Sequence, residues 1–344
     1  MDVGLTSEQL TLRDTARDIL RTECPPEVVR QALIDPERWR ALWNTVVDHG
    51  WTELAAPGFG PGDLAVVLEE CGAALAPIPL LSSVGLAAGV LRACRDVCQQ
   101  VIADIADGVV ATLAVHSPGR RLPGAPMTLR RGRLSGRAVA VTNATRAELI
   151  VTLAVTGDGV LAAVVRSGDG VTVQAGESTD PAQPVADIEI DAEPLATAPI
   201  DLESALATPL IAAAADLVGV ASGALQRSVE HAKTRQQFGQ PIGAFQGIKH
   251  ALADNYVSIE RARSLTYLAA ANPTWTAAAM AKAAAGDAAS TCARTAVQVH
   301  GALGQTWEHD THLYVRHAWQ SAAMLGDSRV LYHELGRRFA GGAI

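Results

Sequence analysis

The stretch RQQFGQPIGAFQ, residues 235–246, joins two alanine-rich segments with helical patterning and organises the carboxyl-terminal part of the sequence. A proline and two glycines interrupt the helical pattern, so we predict a corner between two long helices. Arg235 opens this corner, and Gln246 closes it. A guanidinium forms bidentate, charge-assisted bonds with phosphate, and the Phe238 ring offers a flat apolar face for a heterocycle. The stretch suits a nucleotide, although a surface salt bridge beside a core phenylalanine explains the same residues equally well.

Outward from that corner, the sequence predicts a helical bundle from residue 199 to the end. Thr208-Pro209 matches the start of a long helix that leads into the corner. The helix after the corner ends at Asn272-Pro273, and the third helix ends at Gly301. A further helix follows residues 306–310. Four long helices joined by short loops predict a four-helix bundle.

The hydrophobic pattern changes twice along the chain. Residues 1–108 carry apolar residues at helical spacing and predict an N-terminal helical domain. Residues 109–198 form short β-branched runs separated by turn signals and predict a middle antiparallel β domain. Asp158-Gly159 and Asp169-Gly170 are flanked by apolar runs, which predicts two hairpins. The fold class is therefore α with a central β domain, and residues 199–344 form the third domain.

Composition argues against several classes of protein. The net charge is −8 without a basic stripe, so we expect no nucleic-acid partner. The sequence contains no GxGxxG or Walker motif, which argues against a Rossmann or P-loop site. No apolar run reaches about 18 residues without a charge or a break, and no signal-peptide pattern occurs, so we expect a cytoplasmic protein without a membrane span. Five scattered cysteines predict reduced, buried thiols, and residues 308–312 lack the further ligand that a metal site needs.

The sequence resembles the acyl-CoA dehydrogenase family over nearly its whole length. The resemblance is carried by RQQFGQPIGAFQ, by QVHGALGQTWEHDTHLYVRHA at residues 298–318, by LAVVLEECGAALAPIPLL at residues 64–81 and by VTNATRAE at residues 141–148. It implies an N-terminal helical domain, a middle antiparallel β-barrel or sandwich and a C-terminal four-helix bundle. It also implies FAD as the cofactor and an acyl-CoA thioester as the substrate.

The resemblance further implies which residues hold FAD. The residues that correspond to those around its pyrophosphate and adenine are Arg235, Gln237, Phe238, Gln246, Gln298, Val299, His300, Gly301 and Ala302. We call the segments 235–246 and 298–302 the clamp. In this family the clamp reaches across a subunit interface, to a flavin whose ring lies mainly in the neighbouring subunit. Thr142 and Asn143 match a flavin-binding segment of the β domain and are weaker candidates.

Both positions at which the family places its catalytic glutamate hold residues that cannot take a proton. One corresponds to Leu325 and the other to Pro209. Asp327 lies close to the first position and could act as a displaced base, but a helix cap is the stronger interpretation. The cradle for the chain's own flavin also departs from the family. Ala140 stands where an aromatic residue is usual, and HSPGRRL at residues 116–122 keeps only the Pro-Gly pair.

A clamp without a base predicts a heteromer. The sequence resembles the shorter subunit of the α2β2 acyl-CoA dehydrogenases of bacterial steroid degradation, in which the other subunit carries the glutamate and each tetramer holds two flavins. We therefore expect this chain to contribute FAD contacts to a second acyl-CoA dehydrogenase subunit within a heterotetramer. Two alternatives stay open: a homo-oligomeric flavoenzyme that uses Asp327, and a flavin-free scaffold of the same fold. The sequence leaves the acyl group open.

Overall fold

The computed structural model describes residues 4–94 and 98–342, and its amino-terminal part is helical. The helices are α1 (Ser7–Glu23), α2 (Pro26–Ala32), α3 (Trp39–Asp48), α4 (Pro61–Ala74), a π-helical segment (Leu81–Ala87) continued by α5 (Ala88–Leu91), and α6 (Gln99–Ala106), with a 3-10 turn at Trp51–Ala55. The Thr6 hydroxyl accepts the N–H of Gln9 at 3.2 Å, and the Gln9 side chain accepts the N–H of Thr6. This reciprocal pair of bonds satisfies two backbone donors and fixes the start of α1.

The middle part is a single sheet of eight strands. They are β1 (Ala111–Ala114), β2 (Met127–Arg130), β3 (Arg133–Thr142), β4 (Leu149–Thr156), β5 (Gly159–Arg166), β6 (Val171–Ala175), β7 (Val185–Ala192) and β8 (Ala196–Pro199). The order is β6-β7-β3-β2-β4-β5-β8, and β1 also pairs with β4. One face of the sheet gathers a core of its own, and the other face packs against the helices.

The prediction of an antiparallel β domain was wrong in part, because the sheet is mixed. Both β1 and β2 run parallel to β4 and lie end to end along the same edge of it. The chain continues in one direction from β1 through residues 115–126 to β2, so the two strands share an orientation. Short strands leave no periodicity that distinguishes parallel from antiparallel pairing, so the pattern could not show this.

One of the two predicted hairpins is confirmed. β4 and β5 pair antiparallel up to Thr156 and Gly159, which leaves Gly157 and Asp158 as the turn. The second prediction was wrong: Gly168 O accepts the N–H of Val171 in a tight turn, at 2.9 Å, yet β5 pairs with β4 and β8 while β6 pairs with β7. Asp-Gly chemistry reverses the chain, but it does not determine which strands become neighbours.

Between residues 199 and 342, the structure contains five α-helices rather than the predicted four. Its elements are α7 (Leu202–Thr234), β9 (Gln236–Gln237), β10 (Gln240–Pro241), α8 (Gln246–Ala271), α9 (Trp275–His300), α10 (Thr311–Ala323) and α11 (Ser328–Ala340). Leu325 and Gly326 adopt φ angles of 56° and 98°, which break the last predicted helix in two. Asp327 then caps α11, since its carboxylate accepts the N–H of Val330 at 3.1 Å.

The long helix α7 begins earlier than predicted. The Asp201 carboxylate accepts the N–H of Ser204 at 2.9 Å and caps the helix, so Pro209 lies inside α7 and not at its start. An internal proline costs about 3 kcal/mol. Here it lies in a buried stretch, where its ring packs against Gly89. By length and composition α7 could span a membrane, but 89% of its most apolar window is buried inside the protein.

Helices α4 and α7 approach each other backbone to backbone. A Cβ atom on Gly219 would lie 1.9 Å from the carbonyl oxygen of Glu69, and one on Gly72 would lie 2.1 Å from that of Asp216. Any side chain at either glycine therefore forces the helices apart. Helix α7 also packs along α9, whose alanine-rich buried face allows a close approach. The helical core is built around α7.

His317 on α10 ties the β domain to the bundle through a buried ionic bridge. Its Nδ1 lies 2.9 Å from Asp180 Oδ2, and its Nε2 lies 3.0 Å from Asp216 Oδ2. Because both ring nitrogens face carboxylates, both donate, and the ring is an imidazolium. Burial opposes the charge, but the Asp216 carboxylate and the hydrogen bonds to Asp180 and Asp216 outweigh burial and raise the pKa of His317 to about 10.

Replacing His317 with Gln should lower the free energy of unfolding by about 3–5 kcal/mol near pH 6.5, because two buried carboxylates lose their cation. The folded-state pKa of His317 lies above its unfolded value, so its contribution is complete below about pH 6.5 and is lost as the pH rises through about 10. Urea unfolding of both proteins across this range measures the difference. His333→Gln, on the exposed surface of α11, is the control. A difference that does not shrink at high pH would contradict the ionic bridge.

Candidate functional site

The predicted corner between α7 and α8 is a short hairpin that points outward. Gln237 pairs with Gln240, and Phe238 and Gly239 form the turn with φ angles of 50° and 79°. Two successive positive φ angles match the turn type favoured in two-residue hairpins. The side chain of Phe238 is 91% exposed, and its ring meets the edge of Phe245 with centroids 6.0 Å apart. Phe238 is therefore an exposed phenylalanine held in a left-handed backbone, a conformation that is uncommon for a bulky residue.

The polar groups of this hairpin are available to a ligand. Arg235 caps the C-terminus of α7 through its N–H, which donates to His231 O at 2.8 Å. Within residues 4–94 and 98–342, its guanidinium forms no ion pair or hydrogen bond. Gln246 is the first residue of α8, which has no side-chain cap on its free N–H groups. An unpaired guanidinium near a helix N-terminus fits a pyrophosphate.

The second clamp segment ends α9. Gly301 terminates the helix with a φ of 62°, and its N–H donates to Val297 O. Gln298 and Ala302 are exposed, as is Gly301, whereas the side chains of Val299 and His300 are buried in the bundle. The structure brings the two clamp segments together, because the ring of His231, one turn before Arg235, contacts that of His300 with centroids 4.3 Å apart and the planes tilted by 31°.

Beside the second segment lies a groove of about 490 Å³. Its lining includes Arg294, Gln305, His312, Arg316 and Trp319. Arg294 precedes Gln298 by one turn of α9, so both lie on the same face. Sequence reasoning missed Arg294, because a charged residue four positions before a motif resembles an ordinary solvated helix face. The groove extends the cationic surface of the clamp.

The β-domain candidates occupy a different and nearly closed site. The Thr142 hydroxyl donates to the Sδ of Met324 at 3.6 Å. The space between them, which Asp216 and His317 also line, has a volume of about 20 Å³. That volume admits roughly one water molecule, whereas ligand pockets usually measure about 300–1,000 Å³. A flavin ring and a thioester do not fit there.

Asn143 serves the fold. Its φ is 57°, a left-handed conformation that asparagine tolerates better than most residues. Its side chain is buried, and it donates to Gln183 Oε1 at 2.9 Å and to Ser82 Oγ at 3.3 Å while it accepts from Arg146 at 2.9 Å. These three side-chain hydrogen bonds are all made within the protein, so they do not leave Asn143 facing a ligand.

The two positions at which the resemblance implies a catalytic glutamate hold buried apolar groups. Leu325 is 2% exposed, and Pro209 lies inside α7. Asp327 pairs with Arg121 and caps α11. Although partial burial opposes it, the Val330 N–H and the Arg121 guanidinium hold the pKa of Asp327 below its ordinary value. A general base works best with a pKa near the operating pH, so Asp327 is unsuited to that role.

Lys282 anchors the loop around Leu325, and sequence reasoning missed it. The side chain is fully buried, and its Nζ donates to Ala322 O at 2.8 Å and to Gly326 O at 3.0 Å. Burial lowers the pKa of Lys282 to about 7, although nearby aspartates, which include Asp327, act to raise it. The lysine thus fixes the ends of the loop that carries Leu325. A lone lysine in an alanine-rich helix gives no signal of this role.

The other predicted chemistries can also be compared with the structure. All five cysteines are buried and unbridged, as predicted. Across residues 4–94 and 98–342, no group of three or more His, Cys, Asp or Glu side chains is placed to hold a metal ion.

Comparison with known proteins identifies the family. Residues 202–340 match the model of the acyl-CoA dehydrogenase C-terminal domain. The acyl-CoA dehydrogenase IpdE2 of Mycolicibacterium smegmatis is 32% identical over 94% of this chain and 96% of its own length. IpdE2 of Mycobacterium tuberculosis is 33% identical over 95% of this chain and 96% of its own.

Solved structures agree with this assignment. A structure described as the Tcur3481-Tcur3483 steroid ACAD G363A variant is 29% identical, covers 98% of both chains and has a TM-score of 0.90. The ChsE4-ChsE5 complex of Mycobacterium tuberculosis is 29% identical, covers 99% of both chains and has a TM-score of 0.89. Acyl-CoA dehydrogenases are FAD-dependent enzymes. With this fold and these relatives across its whole length, the chain belongs to the acyl-CoA dehydrogenase family.

Proposed function

We propose that this chain is the cofactor-clamping, non-catalytic subunit of a heteromeric acyl-CoA dehydrogenase. A partner subunit supplies the catalytic glutamate and the pocket for the flavin ring, and the complex introduces an α,β double bond into an acyl-CoA thioester. One observation carries the proposal: the clamp is open to a ligand from outside, while the space behind Thr142 measures only about 20 Å³.

The clamp supports a role toward a neighbouring subunit. FAD supplies the hydride acceptor for dehydrogenation. On this chain, the Arg235 guanidinium neutralises pyrophosphate charge, and the exposed Phe238 ring covers an apolar surface of the dinucleotide or of the partner. Gln298 and Ala302 provide the second side of the grip. These groups project away from the chain's own core, so the rest of the site must come from another chain.

The nearly closed space beside Thr142 supports the absence of catalysis within the chain. Proton abstraction requires a base within hydrogen-bond reach of the substrate α-carbon. Leu325 offers no base, and Lys282 holds its loop in place through two carbonyl groups. Asp216 and His317 of the buried bridge line the space beside Thr142, which at about 20 Å³ leaves no room for a thioester. Reopening this space would break a buried ionic network, which is energetically costly.

The relatives support a partner and suggest a substrate class. Two of the solved structures are described by a pair of components, ChsE4-ChsE5 and Tcur3481-Tcur3483. The Tcur3481-Tcur3483 structure is described as a steroid acyl-CoA dehydrogenase. We infer that this chain assembles with a longer, complete family member and that the complex oxidises a steroid-derived acyl-CoA. We also infer a cytoplasmic location.

Replacing Arg235 with Ala in the complex should weaken FAD binding by roughly 10- to 100-fold, since a hydrogen bond to a charged group contributes about 1.5–3 kcal/mol. The complex is obtained by co-expression with family members from the same genome. FAD content and acyl-CoA oxidation are measured after gel filtration. Arg166→Ala, at an exposed position in the β domain, is the control.

Two results would contradict the proposal. If the Arg235→Ala complex retained full FAD content and affinity, the chain would be a scaffold and not a clamp. If the isolated wild-type chain were yellow and oxidised acyl-CoA, the chain would be a self-sufficient enzyme.

Replacing Asp327 with Asn should leave the turnover of the complex within roughly twofold of wild type, because Asn caps a helix about as well as Asp. The removal of a general base costs about 10²- to 10⁴-fold instead. Steady-state rates at saturating substrate distinguish the two cases. A loss of that size, with the complex intact by gel filtration, would assign the base to this chain.

A further inference from the structure

Three imidazole rings lie in contact at the junction of the clamp, and we call them the histidine cluster. His231 on α7 contacts His300 at the end of α9, with ring centroids 4.3 Å apart and the planes tilted by 31°. His300 in turn contacts His309, with centroids 4.6 Å apart and a tilt of 53°. His231 lies one turn before Arg235, and His300 directly precedes Gly301. The histidine cluster therefore joins the two clamp segments to each other and to the loop before α10.

Hydrogen bonds show that His309 is neutral. Its Nδ1 lies 3.2 Å from the backbone nitrogen of Thr311 and 2.7 Å from the Thr311 hydroxyl. A backbone N–H can only donate, so this nitrogen accepts and carries no proton. His300 Nδ1 lies 2.7 Å from Ala296 O and donates to it, which fixes the ring to its own helix.

The charged groups around the histidine cluster are mostly positive. Arg235 acts on His231, while Arg30 and Arg227 act on His309. Asp310 offsets part of this charge, but it already pairs with both Arg30 and Arg227. Burial, followed by the neighbouring imidazoles, lowers the pKa values of His231 and His309. A proton added to His231 would be repelled by Arg235, and one added to His309 by Arg30 and Arg227.

We propose that the histidine cluster, with His231 and His309 uncharged, positions the two clamp segments, so that the complex holds FAD near neutral pH and releases it in acid. This inference rests on the proposed function of the clamp. His231 and His309 are positioning residues, because they act through the backbone of the clamp segments.

The direction of the pH effect follows from proton binding. The ordered clamp disfavours protonated His231 and His309, whereas an opened clamp lets both titrate near the ordinary imidazole value of 6.5. The opened form thus binds more protons below about pH 6.5, and acid shifts the equilibrium toward it. The ordered form is favoured in full above that pH.

Two substitutions at His231 separate charge from packing. The His231 side chain takes part in the histidine cluster through its ring contact with His300 and forms no hydrogen bond with any residue that the structure describes. His231→Phe therefore keeps an aromatic ring that never gains a proton, whereas His231→Lys supplies a permanent cation. FAD dissociation constants of the wild-type and variant complexes are measured by flavin fluorescence at about pH 7.5 and 5.5, values on either side of the imidazole transition. His333→Phe, on the exposed surface of α11, is the control.

The wild-type complex and His333→Phe should lose FAD affinity by roughly tenfold between the two pH values, within the range usual for coupling between two sites. His231→Phe should show a smaller ratio, and His231→Lys should bind FAD weakly at both pH values. The same ratio in His231→Phe as in wild type would overturn the proposal, as would tight binding by His231→Lys at the higher pH.

Failure of the clamp function itself is recognised separately. A wild-type complex that binds no FAD at about pH 7.5, above the imidazole transition, contradicts the proposed function. Amide hydrogen exchange of residues 301–305 then tests whether the histidine cluster orders the second clamp segment, by comparison of the variants with wild type at the same pH. Faster exchange in His231→Lys than in His231→Phe supports positioning by an uncharged His231, and equal exchange overturns it.

Discussion

The buried bridge from Asp180 through His317 to Asp216 is the constraint on which the centre of this molecule depends. It joins the loop before β7 to α10 and α7 with contacts of 2.9 and 3.0 Å. A cation between two carboxylates inside a protein is stable only while all three groups remain together. The bridge therefore holds the β domain against the bundle, and its Asp216 and His317 line the space of only about 20 Å³ beside Thr142.

The nearly closed space beside Thr142 and the exposed hairpin are connected by one helix. Helix α7 supplies Asp216 to the buried bridge from its middle and leads at its C-terminus into Arg235 and the hairpin. The same helix thus lines the closed space and carries the hairpin outward. Arg121 and Lys282 secure the loop between α10 and α11, so Leu325 stays packed within the core. In the complex that we propose, the dinucleotide is held at a shared interface.

Local features of the sequence predicted the order of helical and strand regions and the corner at residues 235–246. The order of helical and strand regions follows from hydrophobic period, and the hairpin at Gly157-Asp158 follows from turn chemistry. The corner at Arg235 was visible because its residues are contiguous. By contrast, the sequence did not show that β5 and β6 remain unpaired or that Leu325 adopts a left-handed conformation that splits the last helix. Packing decides both features. His317 lies 137 and 101 residues from its two carboxylate partners, so no spacing rule could have found the bridge.

Native mass spectrometry of FAD stoichiometry tests the central claim most directly. The account predicts that this chain alone retains no FAD, and that a tetramer of two copies of this chain with two copies of its partner retains two. The mass of the intact assembly gives both the subunit ratio and the number of bound cofactors in one experiment. A homo-oligomer of this chain that carries one FAD for each subunit would contradict the account.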